Sequence, residues 1–244
     1  MTASLLRLAA HRPWPLPGKR WSYCQHWRNA VFLHYRTDPE AVQPLLPEGL
    51  QPDTCAGSAW ISLVAFDMAG VRPRGVPALP MVSDFPEVNL RTYVRHAGRA
   101  GVFFLRIEAG KRLSVRMARV LSILPYQHAA MARTAHPDGT HGFALCGSPG
   151  SWVLRYRVGA PIAEPSPLDL WLTERYCLYQ HWRKGVQRYE IHHAPWPLAE
   201  LELQQAPDLP AIAGILPAQP VACRFSPGVK VLSWPREAVA RAAD

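Results

Sequence analysis

Short apolar segments, separated by prolines and glycines, follow one another along the whole chain. The run Ala59 to Met68 is almost continuously apolar and has the length of a buried strand, and Asn29 to Arg36 is rich in aromatic and β-branched residues. Proline interrupts helices and central strands alike, so these segments cannot merge into long elements. Further strands are predicted at residues 101–108, 142–147, 151–158, 186–193 and 221–234. Seven or more strands at this spacing predict an all-β or α+β, barrel-like domain with a few helices.

Helices and domain limits follow from local signals. Thr37-Asp38-Pro39-Glu40 places a capping residue before a proline, which predicts a short helix from Pro39 to about Leu46. Further helices are expected near Arg116 to Leu124 and within residues 168–182, and a helical tail at 236–244. Prolines predict an extended arm without regular structure at residues 1–20, so a single domain is expected over 21–235.

One segment, residues 84–94, separates polar from apolar side chains completely. With period two, Glu87, Asn89, Arg91 and Tyr93 fall on one face, and the other face is Val88, Leu90, Thr92 and Val94. Glu87 and Arg91 are about 13 Å apart along an extended strand, at roughly 3.3 Å per residue, so they cannot pair directly. An inward polar face would form a ligand pocket with perturbed pKa values, and an outward face would be a solvated strand surface. Alternation alone does not decide between the ligand pocket and the solvated strand surface.

Composition narrows the class of protein. Hydrophobic residues make up 48% of the chain and charged residues 18%, which excludes extended disorder. No apolar stretch approaches the roughly 18 residues of a membrane span, and no convincing signal peptide begins the chain, so a cytoplasmic protein without a membrane partner is expected. The net charge of +9 comes from scattered arginines without a basic run, so no nucleic-acid partner is expected.

Common catalytic motifs are missing from the sequence. It contains no GxSxG elbow, no P-loop, no GxGxxG and no CxxC or HExxH spacing, so no metal site or cofactor is predicted. Histidines offer a second candidate site, at His34 and at the pair His192-His193. The adjacent His192 and His193 would point to opposite faces of a strand, so they cannot chelate one ion together. A Schiff-base lysine would have to be one of four lysines, and Lys111, in EAGKR, is typical of a turn.

Four motifs in one order, DFPEVNLRTYV, LPYQHAAM, LTERYCLY and HAPWPL, resemble the YqjF-like family of uncharacterised bacterial proteins, domain of unknown function 2071. The resemblance covers about Arg12 to Trp234. That family is similar in turn to acetoacetate decarboxylase, on Tyr35-Arg36-Thr37-Asp38 and on Ala118-Arg119 leading to Pro125. It implies a closed, cone-shaped β-barrel with a few flanking helices.

The decarboxylase resemblance also implies residue roles. Arg28, eight residues before Arg36, matches the substrate-binding arginine, and Glu87 matches one active-site glutamate. After Pro125, where the decarboxylase has its Schiff-base lysine, this chain has Tyr126. The strand with the second glutamate reads Ser62-Leu63-Val64 here. Without the amine no imine forms, so decarboxylation by that route is not expected.

Three interpretations remain for the polar residues. As an enzyme, the protein would use Glu87 as general base, Arg28 or Arg91 to hold an anionic group, and Tyr126 to donate to an oxyanion, in a lyase, hydratase or isomerase reaction. As a non-catalytic binding or sensory protein, it would hold a small keto or carboxylate ligand with the same residues, Asn89 and Tyr93 included. A homo-oligomer is possible in either case. In the third interpretation, Glu87, Arg91, Glu174 and Arg175 form a buried salt-bridge network, and Trp196 plugs the barrel.

Overall fold

The computed structural model describes residues 2–147, 150–183, 185–209 and 214–241. The helices are α1 Thr2–Arg7, α2 Pro39–Val42, α3 Pro80–Ser83, α4 Arg112–Leu121 and α5 Pro167–Thr173, with a 3-10 turn at Gln43–Leu45. The strands are β1 Tyr23–Thr37, β2 Gln51–Pro52, β3 Ala59–Pro73, β4 Phe85–His96, β5 Arg99–Ala109, β6 Tyr126–His128, β7 Ala130–Ala135, β8 Thr140–Cys146, β9 Trp152–Pro161, β10 Cys177–His181, β11 Gly185–His192, β12 Ala199–Gln205, β13 Ala222–Ser233 and β14 Glu237–Arg241. The predicted mainly β fold with few helices is confirmed. In the described ranges no helix has the length and apolar character needed to cross a membrane.

Seven strands form a ring. They are hydrogen-bonded in the order β11-β10-β5-β4-β3-β1-β13, and β13 returns to β11 through the pairs Ile191↔Ser233 and His192↔Leu232. All neighbours are antiparallel except β5 and β10, which run parallel. Strands β12, β9, β8 and β7 continue the sheet from β13 and fold over one side. The ring has an inner and an outer face.

Two apolar clusters show which face is inner. One cluster takes side chains from six ring strands at once: Phe32, Val64, Phe66, Phe85, Ile107, Ile191, Val229 and Val231. Only side chains that point into the ring can meet in this way, so we name this cluster the inner core. The other cluster joins the reverse sides of β1, β3 and β4 to β8, β9 and β12, and we name it the outer core. Strand β4 therefore has both faces buried.

Local chemistry explains the turns at the ring's edge. The β4–β5 hairpin closes through Ala97 and Gly98, with φ of 47° and 79°, as a two-residue turn with two left-handed residues requires. Asp38 caps α2 by accepting from the Glu40 N–H, which confirms the predicted helix start. Ser166 and Asp169 form a capping box that begins α5, which lies against the inner face.

The first twenty residues differ from the expectation. The prolines begin only at Pro13, so they leave residues 2–7 free to form α1. Leu5 packs with Cys24, Leu232 and Trp234. Arg12 donates to the Ile191 carbonyl at 2.6 Å and to Glu190 at 3.0 Å. The arm therefore begins with a helix, and the hydrogen bonds of Arg12 hold it against β11.

The predicted helical tail is wrong over the residues described. Glu237–Arg241 is strand β14 and pairs with β11, although its alanines favour a helix. The free edge of β11 supplies backbone partners, and Glu237 bonds Lys19 and Arg188, so tertiary contacts override propensity. Residues 242–244 lie outside the described part. Strands β6, β7 and β12 were also not predicted, since prolines or mixed polarity surround them.

Candidate functional site

The polar row of β4 lies on the inner face of the ring. Glu87, Asn89 and Arg91 stand opposite Phe66, Val64 and Ser62 of β3, and Phe66 and Val64 belong to the inner core. The exposed fractions of Glu87, Asn89, Arg91 and Tyr93 are 3%, 3%, 7% and 0%. The predicted segregation of polar and apolar residues is present, and the row is buried. These four side chains require partners because burying polar groups unpaired is costly.

Glu87 is bound by Tyr126 and Asn89. The Tyr126 hydroxyl donates to Glu87 Oε2 at 2.9 Å, and Asn89 donates to the same carboxylate. Tyr126 reaches this position because β6 runs parallel to β5, with Tyr126 beside Ile107. Burial raises the pKa of Glu87 to about 7, and the two hydrogen bonds partly oppose that rise. Burial and the adjacent Glu87 also raise the pKa of Tyr126 well above its ordinary value.

Arg91 is a buried cation without an anionic partner among the described residues. Its one hydrogen bond within the described ranges is Nη2 to the Leu172 carbonyl, at 3.4 Å, and Nε has no partner there. The guanidinium carbon lies 5.9 Å from the ring centroids of Phe32 and Tyr93. In the described part of the chain no carboxylate comes within 4.0 Å of Arg91, so its charge is neutralised by none of them.

His34, Ser62 and Tyr93 form a hydrogen-bonded chain beside Arg91. The Tyr93 hydroxyl donates to the Leu172 carbonyl at 2.9 Å, so it accepts from Ser62 at 2.7 Å. Ser62 then accepts from His34 Nδ1 at 2.6 Å. Burial, with Arg91 nearby, lowers the pKa of His34 to about 3, so the ring is neutral and its Nε2 is an acceptor. The sequence indicated His34 as a candidate but not its place beside Arg91, and it did not indicate Ser62. Both are single polar residues inside apolar strands, and their period-two alternation with Phe32 and Val64 was the available signal.

Arg28 lies apart from this group, contrary to the expectation. Arg36 pairs with Trp60, but Arg28, eight residues earlier, pairs with Asp67, which is seven residues from Trp60. The extra residue is a β-bulge between Arg28 and Val31, where Asn29 has φ of 50°. The bulge reverses the alternation, so Arg28 is exposed on the outer face while Glu87 faces inward.

The proposed network of Glu87, Arg91, Glu174 and Arg175 is not formed. Arg175 pairs with Asp53 at 2.5 Å, a carboxylate that the sequence did not single out. Glu174 accepts from the Tyr176 hydroxyl and from the Trp196 backbone. Glu87, Glu174 and Arg175 therefore each bond a residue outside this set, whereas Arg91 has no anionic partner among the described residues. Trp196 is 6% exposed and stacks on Trp27, as expected of a plug.

The described lysines lie outside the inner face. Lys111 donates to the Pro80 carbonyl at 3.2 Å in the turn before α4, Lys19 pairs with Glu237, and Lys230 points toward Thr2. Lys184 lies outside the described residues. Nor do three His, Cys, Asp or Glu side chains of the described part gather as metal ligands would.

Surface hollows offer a weaker candidate. The hollow between the arm and β11, of about 510 Å³, is lined by Lys19, Arg99, Arg188, Glu190 and Glu237. Its charges are already paired: Lys19 and Arg188 with Glu237, and Arg99 with Glu190. A second hollow contains the Arg157–Asp138 pair. The inner face is the stronger candidate for a ligand site, because Arg91 lies there without an anionic partner in the described ranges.

Comparisons with known proteins agree with this architecture. Residues 24–230 match the DUF2071 family, described as an uncharacterized conserved protein. The uncharacterized protein YqjF of Bacillus subtilis (strain 168) is 35% identical over 228 residues, which cover 90% of this chain and 93% of that protein. The predicted resemblance is therefore confirmed.

Solved structures share the fold at low identity. An acetoacetate decarboxylase from Legionella pneumophila has a TM-score of 0.62 at 15% identity, covering 95% of this chain and 94% of that chain. The enduracididine biosynthesis enzyme MppR, complexed with pyruvate, has a TM-score of 0.61 at 14% identity and covers 93% of each. An acetoacetate decarboxylase-like enzyme from Sphingomonas wittichii RW1 has a TM-score of 0.60 at 15% identity, covering 95% of this chain and 98% of that chain. The fold is that of the acetoacetate decarboxylase-like proteins.

Proposed function

Because the chain belongs to the DUF2071 family and has an acetoacetate decarboxylase-like fold, we propose that the inner face of its ring binds a small carboxylate. Arg91 holds the carboxylate group, and Asn89 and Tyr93 line the same row. The observation that carries the proposal is the buried Arg91 guanidinium without a described counter-ion. An isolated buried charge is costly, and a guanidinium matches a carboxylate in a bidentate geometry.

Glu87 supplies the chemistry in this proposal. A pKa of about 7 leaves both protonation states populated at neutral pH, as proton transfer in either direction requires. The carboxylate form takes a proton from the bound molecule and later returns it, which is an isomerase-, lyase- or hydratase-type step without a Schiff base. Tyr126 acts by holding Glu87 Oε2, since its hydroxyl is already donated there. MppR was solved with pyruvate, a small keto carboxylate, on the same fold, which supports this ligand class.

The first experiment is a thermal-shift screen with small keto, hydroxy and unsaturated acids. A ligand that binds only the folded protein raises Tm by mass action, so a carboxylate that fits should shift the transition by several degrees at saturation. Arg91→Met should abolish the shift. Arg28→Met is the matched control, because it removes an exposed arginine from the outer face of the same ring.

The outcomes separate the interpretations. A shift that Arg91→Met removes and Arg28→Met keeps supports the site, and equal loss in both variants, or no shift with any acid, overturns it. Turnover by the wild type that Glu87→Gln abolishes, with the thermal shift retained, identifies an enzyme. A retained shift without turnover of any acid identifies the non-catalytic binding protein.

A further inference from the structure

The inner face carries several buried polar atoms with no hydrogen-bond partner among the described residues. Three are N–H donors and two are acceptors: Trp27 Nε1, Trp60 Nε1 and Arg91 Nε, then His34 Nε2 and Asn89 Oδ1. His34 and Asn89 are 0% and 3% exposed. A buried polar atom left unpaired costs about 1–3 kcal/mol. Trp27 and Trp60 lie at opposite ends of the inner face, opposite Met68 and Arg36. His34, Asn89 and Arg91 lie close together between them, so the three unpaired atoms of this group point to a bound molecule.

The positions of the two acceptors define their relation to Arg91. His34, Ser62 and Arg91 stand in one row across β1, β3 and β4, with the small Ser62 between the two long side chains. Asn89 is two residues along β4 from Arg91, on the same face, or roughly 7 Å away. A carboxylate held by Arg91 therefore extends toward one acceptor across the strands and another along β4.

The hydrogens on both acceptor groups are fixed by their neighbours. His34 donates from Nδ1 to Ser62, because Ser62 donates onward to Tyr93, and this leaves a lone pair on Nε2. Asn89 donates its amide N–H to Glu87, which leaves its carbonyl oxygen. A keto acid carries only acceptors beyond its carboxylate, so it would place lone pairs against both atoms.

We propose that the molecule bound at this site is a hydroxylated carboxylate, a small sugar-acid type of ligand, whose hydroxyls donate to His34 Nε2 and Asn89 Oδ1 while Arg91 holds its carboxylate. This inference rests on the proposed function and narrows its ligand class. Hydroxyls also accept, so one of them can match the Arg91 Nε–H donor. An ammonium group would satisfy the acceptors too, but burial and Arg91 disfavour a second cation at His34 more than Asp169 favours one.

The test is a titration series with constant carboxylate and increasing hydroxyl number: propionate, lactate and glycerate, with pyruvate as the keto acid. Calorimetry should give an affinity that rises about fivefold to tenfold per hydroxyl, and pyruvate should bind no better than propionate. Three fixed contacts also predict that the two enantiomers of glycerate bind with different affinity.

Variants assign each hydroxyl. His34→Phe and Asn89→Leu should each lower glycerate affinity to about that of lactate, and the exposed control Arg28→Met should leave the whole series unchanged. His34→Gln, which keeps an acceptor, should retain most of the preference. If one variant does not fold, the other still tests its own hydroxyl contact, and the ligand series on the wild-type protein decides the preference for hydroxyls by itself.

Two negative results remain distinguishable. If all four acids bind equally and Arg91→Met abolishes binding, the carboxylate site stands and the hydroxyl inference is wrong, because water satisfies the acceptors. If none of the four binds, in either enantiomeric form, the inference fails. A keto or unsaturated acid that binds through Arg91 in the wider screen would still leave the proposed function intact.

Discussion

At the scale of single residues, the proton on Glu87 links the site to the stability of the fold. Folded Glu87 has a pKa of about 7, against an ordinary value of 4.5, so the folded chain holds this proton more tightly than the unfolded chain. Its contribution to stability is therefore complete below pH 4.5 and is lost as pH rises to about 7.

Glu87→Gln removes this titration. We expect the wild type to lose about 3 kcal/mol of unfolding free energy between pH 4.5 and 8 relative to the variant, because the variant cannot ionise there. Urea unfolding of both proteins at several pH values measures the difference. Parallel pH curves for the two proteins would mean that Glu87 titrates normally.

The sequence predicts the polar row of β4, but it predicts neither the direction of that row nor the position of Arg28. The polar row of β4 was predictable because strict alternation is a property of the strand itself. Its inward direction was not, because both faces of β4 are buried and either could have faced solvent in another fold. The decarboxylase resemblance placed Arg28 in the site, but a one-residue bulge turns it to the outer face. Such a bulge leaves no reliable mark in a sequence, and Asn29, which adopts the left-handed region, is the sign that this strand offers.

At the scale of elements, the bulge in β1 depends on the strand opposite it. Gly228 of β13 pairs with Arg28 and has φ of 126°, and a Cβ there would overlap the Trp27 carbonyl oxygen. Gly228→Ala should therefore lower the unfolding free energy by at least about 3 kcal/mol, since backbone cannot move aside cheaply. Gly139→Ala, also at positive φ but with open space around it, should cost only about 1 kcal/mol. Similar urea midpoints for the two variants would contradict this account.

The arm is the second element with a specific energetic role. Glu190 accepts from Arg12 and Trp14 and also pairs with Arg99, and it is 5% exposed. Arg12→Met leaves this buried carboxylate with fewer donors, and we expect a loss of about 2–4 kcal/mol in urea unfolding. Lys19→Met, which breaks an exposed pair with Glu237, should cost under about 1 kcal/mol. A loss for Arg12→Met as small as that expected for Lys19→Met would show that the Arg12–Glu190 contact does not stabilise the ring.

At the scale of the whole molecule, buried histidines make the fold sensitive to acid. Burial lowers the pKa of His34 to about 3 and those of His192 and His193 to about 4. The unfolded chain takes up these protons near pH 6.5 and the folded chain does not, so the stabilisation is lost as pH falls below 6.5. Glu87, Glu108 and Glu174, whose pKa values burial raises, work in the opposite direction and partly offset this loss.

Each of the three histidines should contribute up to about 1.4 kcal/mol per pH unit to this loss between pH 6.5 and 5. Urea unfolding of the wild type and of His34→Gln across this range measures the part that His34 contributes, and the slope of the variant should be smaller by about 1.4 kcal/mol per pH unit. Equal slopes for the two proteins would show that His34 titrates in the folded protein as it does in the unfolded chain.

The pairing of β1 with β13 also sets the time at which the molecule is complete during synthesis. Most of the chain lies between β1 and β13, so the nascent polypeptide cannot close the ring until Ser233 has left the ribosome. Until then Phe32, Val64 and Phe66 form an apolar surface open to solvent. Any chain cut short before β13 keeps that surface exposed, so premature termination yields an aggregation-prone product and not a partly active protein.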